Sequence, residues 1–248
     1  MEMPDHLAVT IPLTDIQRIQ LYINTARRSL SQIQRETGAD YILNGTLYNM
    51  STFVPNCHLK ADGKVLCKPA YTVSGYSWND GPDISMDTLP DASQRNYITC
   101  TPLIVSGKPV SKLIYDVGQG GKRGRSAIGV KDGSLALYCT RDGGSMTRTP
   151  ESLRDDLTAA GWDSAVMLDG GASQCYFKGA VIQSSRAVHD LILVYLKKGE
   201  TTVEKKKVVL DPGHDAGNLA NKSPDGTYYE HEFALDMGKR IQSILERH

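Results

Sequence analysis

The chain has 248 residues, 28 Lys+Arg balanced by 28 Asp+Glu, and 40% hydrophobic against 23% charged residues. Zero formal net charge argues against a broadly basic nucleic-acid binder or a polybasic membrane protein, and the hydrophobic content rules out a wholly disordered chain. No run of about 18 apolar residues is present to span a bilayer, and at roughly 100–200 residues per domain the length fits one large domain or one domain plus a piece of another.

The opening residues, Met1 to His6, carry neither a basic n-region nor an apolar h-region, so no secretory leader is expected. The five cysteines, Cys57, Cys67, Cys100, Cys139 and Cys175, are odd in number and nowhere spaced as CxxC. That argues against a disulfide framework or a Cys-rich zinc site, and makes a reducing compartment the simplest home.

Ile19, Leu21 and Ile23 alternate as in a half-buried strand, which places a strand near 17–25. The competing helical seam, Ile16, Ile19, Ile23, Ala26, Leu30 and Ile33, is confined here to a short helix from Ser29 to Thr37, stopped by Gly38. Tyr41-Ile42-Leu43 reads as a buried strand. Turns at Asp62-Gly63, Asn79-Asp80-Gly81-Pro82, Ser106-Gly107, Asp132-Gly133 and Asp142-Gly143-Gly144 punctuate short apolar runs, the spacing of antiparallel hairpins. Thr149 as N-cap, Pro150 at N1 and Gly161 beyond the end predict a helix over 150–160 that buries Leu153 and Leu157. Ala165 to Leu168 and Leu191 to Leu196 are further buried strands. The first domain is α+β and strand-rich, over 1–198. A charged linker, 199–206, then leads to a second segment, 207–248.

Asp169-Gly170-Gly171-Ala172-Ser173 is the most informative loop. A strand ends, a carboxylate is presented, and two glycines let backbone N–H groups approach a ligand. On composition alone a tight glycine turn capped by Asp169 accounts for it equally well. Arg123-Gly124-Arg125 precedes a strand, and a guanidinium fork suits a phosphate diester as readily as it suits open solvent. Asn44-Gly45-Thr46 follows a buried strand, as an ordinary Asn-Gly turn would.

Taken in order, Gly38 to Gly45, Thr101 to Lys108, Arg125-Ser126-Ala127-Ile128-Gly129 and Asp169 to Ser173 resemble the phosphodiester glycosidase family over about 15–196. The resemblance implies hydrolysis of a sugar-1-phosphate diester, with release of an N-acetylglucosamine-like sugar and a phosphomonoester. It makes Asp169, Arg125 and Asn44 the catalytic candidates, with Gly170, Gly171 and Ser173 lining the substrate. Arg186 and His189, late in the domain, are candidates for the same site. Ala172 stands where the family has a third glycine, and Thr46-Leu47-Tyr48 where it has a Gly-Phe-Phe-like stretch; both departures bear on substrate preference. Asp142, Glu151 and Asp190 are candidates for a second acid.

The tail, 207–246, opens on Val208-Val209-Leu210-Asp211-Pro212-Gly213-His214 and resembles the start of the zinc-dependent N-acetylmuramoyl-L-alanine amidase family. That resemblance implies His214 and Glu230 as zinc ligands on a strand and a helix, with the third histidine and the catalytic glutamate beyond His248, so a truncated domain is expected. The expected parent is a cell-wall hydrolase such as a phage lysin or bacterial autolysin, made in the cytoplasm and acting on an envelope glycan. Two alternatives stay open: a peptidoglycan amidase assisted by the first domain, and a first domain that only binds glycan.

Overall fold

The computed structural model describes residues 3–88, 93–198 and 221–245. The chain divides after Lys198 into two units. The first opens with β1 (His6–Pro12), β2 (Ile16–Ile23), α1 (Leu30–Thr37), β3 (Tyr41–Asn44), β4 (Tyr48–Asn49), β5 (Val54–Pro55), β6 (Leu59–Ala61) and β7 (Lys64–Cys67). It continues through β8 (Gly75–Trp78), β9 (Ser85–Asp87), β10 (Asn96–Ile98), β11 (Thr101–Val105), β12 (Lys108–Pro109), β13 (Ser126–Lys131) and β14 (Ser134–Thr140). It closes with α2 (Pro150–Ala159), β15 (Ser164–Met167), β16 (Cys175–Phe177), β17 (Ala180–Ile182) and β18 (Asp190–Leu196).

These strands make a six-stranded sheet in the order β1-β14-β13-β15-β11-β12 and two five-stranded sheets, β7-β6-β10-β8-β9 and β17-β16-β3-β18-β2. β4 and β5 form a separate hairpin. The architecture is the strand-rich α+β expected. The short helices are set by local chemistry. Ser29 and Gln32 close a capping box ahead of α1, which ends at Gly38, and Thr149 and Ser152 do the same ahead of α2, with Pro150 at its first position.

The apolar runs are continuous because two of the sheets are covered on both faces. In β18, Ile192 and Val194 point into the central core, while Leu191, Leu193 and Tyr195 face α1, whose Leu30 and Ile33 complete that layer. In β14, Leu135, Leu137 and Cys139 face the same central core, and Ala136 and Tyr138 meet Leu153 and Leu157 of α2. The third sheet closes the central core with Leu59, Tyr76, Trp78 and Ile98. The Trp78 indole donates to Ile19 O at 2.9 Å, so its one polar atom is satisfied where it is buried.

In the second unit, α3 (Glu230–Leu245) follows a turn at Ser223–Gly226. The expected strand at 208–210 and His214 lie outside the described residues. No helix among the described residues is long and apolar enough to cross a membrane.

Candidate active site

Four strand ends from two sheets deliver the site. In one sheet, the end of β3 at Asn44 lies beside the start of β18 at Asp190, because the two run antiparallel. In the other, the end of β15 lies beside the start of β13, where Arg125 precedes Ser126. Hydrogen bonds then stitch the sheets together. Asp169 N donates to Gly45 O at 2.9 Å, and Asp169 O accepts from Asn44 Nδ2 and Ser126 Oγ, both at 2.8 Å. The Asn44, Arg125 and Asp169 loops therefore meet at one place.

A cavity of about 180 Å³ opens there, lined by Arg123, Arg125, Asp169, Gly170 and Arg186 among others. The β4–β5 hairpin walls it with Tyr48 and Met50, and the segment before β13 walls it with Gly118 and Gln119. Asp169 is 4% exposed, and its Oδ2 accepts from Arg186 Nη2 at 2.5 Å. Burial pushes its carboxyl up to about 6 despite the pull of Arg186, and the neighbouring Asp190 adds to the rise.

Arg125 is buried, with Nε donating to Arg148 O at 2.8 Å and Nη2 to Gly121 O at 2.7 Å. Among the described residues no carboxylate pairs with it, so carbonyl dipoles hold its charge at the cavity wall, and burial lowers its affinity for the proton. Gly170 is needed at this wall: a Cβ there would stand 3.0 Å from both Arg125 Nη1 and Gly124 O. Arg186 lies over the Tyr48 ring at 5.6 Å from its centroid, and its Nε is buried without a hydrogen-bond partner among the described residues. Three guanidinium groups thus converge on one small cavity, an anion site by charge.

The remaining candidates stand behind it. Asn44 is fully buried, with Nδ2 on Asp169 O and Oδ1 accepting from Gln174 N at 3.0 Å, so it positions the Asp169 loop and does not line the cavity. Gly171 turns the loop, its N–H donating to Gly124 O at 2.9 Å. Ser173 is buried, its Oγ without a partner among the described residues. His189 is buried against Phe53 and Tyr48, with Nδ1 3.0 Å from Asp190 Oδ2. Asp190 also accepts from Thr46 N at 2.8 Å, and burial raises its pKa. A Cβ on Gly45 would overlap this carboxylate, which accounts for the glycine after Asn44.

Asp142 accepts from Gly124 N at 2.8 Å and Glu151 from the Tyr115 hydroxyl at 2.6 Å; neither lines the cavity. Tyr48, within the Thr46-Leu47-Tyr48 departure from the family pattern, does line the cavity, whereas the carbonyls that hold Arg125 leave no mark in the sequence, since nothing local marks a group whose role is fixed by a distant loop. Glu230 is the first residue of α3. Among the described residues no group of three or more His, Cys, Asp or Glu side chains is placed to hold a metal ion.

The phosphodiester glycosidase family model matches residues 22–195. Among solved structures, the chain is similar to the catalytic domain of zebrafish N-acetylglucosamine-1-phosphodiester alpha-N-acetylglucosaminidase, auto-inhibited by its pro-peptide. That match has a TM-score of 0.60 and 12% identity, and covers 79% of this chain and 85% of that one. It is also similar to a hypothetical protein from Synechocystis, with a TM-score of 0.61 and 13% identity over 77% of this chain and 59% of that one. No curated protein matches in sequence. The family match ends at Tyr195, and the comparisons lend no support to an amidase segment in 207–248. With 174 of its residues inside one family model, and with that family's Asp-Gly-Gly loop and arginine meeting at one cavity, the chain belongs to the phosphodiester glycosidase family, a family of hydrolases.

Proposed function

We propose that the first unit hydrolyses a sugar-1-phosphate diester of a cell-envelope glycan, with an N-acetylglucosamine-like sugar as the released group. The observation that carries this reading is one buried carboxyl, Asp169, set among Arg123, Arg125 and Arg186 in a single small cavity. The arginines suit the diester anion. Asp169, ionised above about pH 6, serves either as base toward the attacking water or as partner to positive charge at the anomeric carbon.

The cavity wall holds one carboxylate among the described residues, where glycoside hydrolases commonly use two. The leaving group explains the economy. When the anomeric C–O bond breaks, a phosphomonoester departs whose second pKa is about 6, so it leaves without a proton from a general acid. Its growing second charge falls on Arg125 and Arg186, and the water's proton goes to Asp169. Asp190 and His189 then have a positioning role through Thr46 and Gly45.

The direct test is turnover of the methyl phosphodiester of N-acetylglucosamine 1-phosphate in ¹⁸O-water. Free sugar released together with unlabelled methyl phosphate supports cleavage at carbon, since the sugar's own anomeric oxygen exchanges with water in either case. Label in methyl phosphate, or release of sugar 1-phosphate, sinks the glycosidase reading, and binding without turnover favours a glycan-binding module.

In the same reading the protein is made in the cytoplasm and works on the bacterial wall, and residues 207–248 begin a zinc-dependent amidase domain with His214 and Glu230 as ligands. Two of three ligands hold zinc only weakly, so zinc bound by the full chain at millimolar concentration and lost in His214→Ala would support this; no zinc bound even at that concentration would remove it.

A further inference from the structure

Cys57 and Cys100 are buried, do not line the cavity and take no part in the chemistry above. β6 and β10 pair antiparallel with Lys60 opposite Tyr97 and Leu59 opposite Ile98, and Thr99 N donates to His58 O at 3.3 Å. Cys57 and Cys100 sit in bends one residue beyond the 58/99 pair, and continuing the register past the strand ends brings them to facing positions. In a regular ladder a pair next to a bonded one has facing Cα atoms about 4.5 Å apart, with side chains closest. A disulfide needs a Cα separation of roughly 4.4–6.8 Å. The two thiols are free and buried, and each is the leading influence on the other's proton affinity.

From this arrangement we infer that Cys57 and Cys100 are a reversible redox pair, closing a disulfide that fastens the exit of the β4–β5 hairpin to the end of β10. Cys100 draws the Cys57 thiol down to about 7 and is itself pushed up, so Cys57 is the attacking sulfur near neutral pH. With hydrogen peroxide as oxidant, the Cys57 thiolate attacks a peroxide oxygen, the O–O bond breaks, and Cys57 sulfenic acid and hydroxide form. The Cys100 sulfur then attacks the Cys57 sulfur. The S–S bond forms, the S–O bond breaks, and the departing hydroxide leaves as water with the Cys100 proton. Two electrons pass from the sulfurs to peroxide, and two thiols plus one peroxide yield one disulfide and two waters.

Competing thiols are distinguishable. Cys67, in β7, stands opposite Leu59, while Cys139 and Cys175 contact each other deep in the central core. The experiment treats the folded full-length chain with hydrogen peroxide at neutral pH, counts free thiols and maps the linked peptides. The expected result is loss of two thiols, a mass lower by about 2 Da, one link between the Cys57 and Cys100 peptides, and full reversal by dithiothreitol. Cys67→Ser should keep the link, and Cys57→Ser and Cys100→Ser should lose it. Retention of all five thiols, or a link through Cys67, Cys139 or Cys175, overturns the proposal; the wild-type peptide map decides it even if a serine variant fails to fold.

Discussion

Asp169 sits in conflict with its surroundings, and that conflict is measurable. Its carboxyl is raised from 3.8 to about 6, so the folded state holds its proton more tightly than the unfolded chain does. Stability contributed by this group is therefore present below about pH 4 and falls as pH rises to about 6. Asp169→Asn removes that cost: the variant should be more stable than the parent at pH 7, by up to ~3 kcal/mol, with the advantage gone at pH 4. The same substitution should lower turnover by ~10²–10⁴-fold, since the amide neither takes a proton nor offsets positive charge. Chemical denaturation at the two pH values, alongside kinetics, reads both effects. Parent turnover should rise with pH through about 6, and an acid limb near 4 would mean that Asp169 is not the ionising group. At Arg125, lysine supplies charge without the fork that Arg148 O and Gly121 O now grip, so Arg125→Lys should lose about 10–100-fold in turnover.

At the scale of elements, the site depends on close approach between strand ends. Gly45→Ala forces a methyl into Asp190 and displaces the carbonyl that receives the Asp169 N–H. A destabilisation of about 1–3 kcal/mol is expected, with a turnover loss larger than the stability loss explains, measured by thermal unfolding and kinetics on the same preparation. Much of this layer was legible beforehand. The alternation of Ile19, Leu21 and Ile23 marks β2, the capping residues mark α1 and α2, and Asp-Gly and Ser-Gly pairs mark the β6–β7, β13–β14 and β11–β12 turns. β1 went unread although Leu7, Val9 and Ile11 alternate, because an edge strand with only Ile11 fully buried leaves a faint signal. The candidate site was legible where a motif is contiguous, as in Asp169 to Ser173. It was not legible where a role arises from packing: Asn44 presents as a ligand-facing turn residue but spends both amide atoms inside the protein, and Tyr48 reaches the cavity only because the hairpin folds across it.

At the scale of the whole molecule, the two units differ in how their apolar residues are used. β18 is enclosed on both faces, whereas Phe233, Leu235, Met237 and Ile241 of α3 are all exposed. Among its described side chains, 230–243, none is fully buried, and a 16-residue helix that rests on its own propensity is marginal in water. Amide exchange should show the α3 amides losing protection far sooner than those of Leu191–Val194; equal protection would mean that α3 is covered by a partner in solution.

The cavity has two kinds of boundary. Its floor, with Asp169, Gly170 and Arg125, is welded to strand ends that also carry the central core. Its walls, Tyr48 and Met50 on the hairpin and Gly118 and Gln119 before β13, belong to connections outside the three large sheets. Reaction and taste are thus inherited through different stretches of chain. A lineage can lengthen, shorten or exchange the walls and meet a new sugar or aglycone without disturbing the floor, and a designer who wants a different diester should graft residues 47–56 and 110–119 while leaving alone Thr46, the 120–125 segment that carries Arg123 and holds Arg125, and the strand termini.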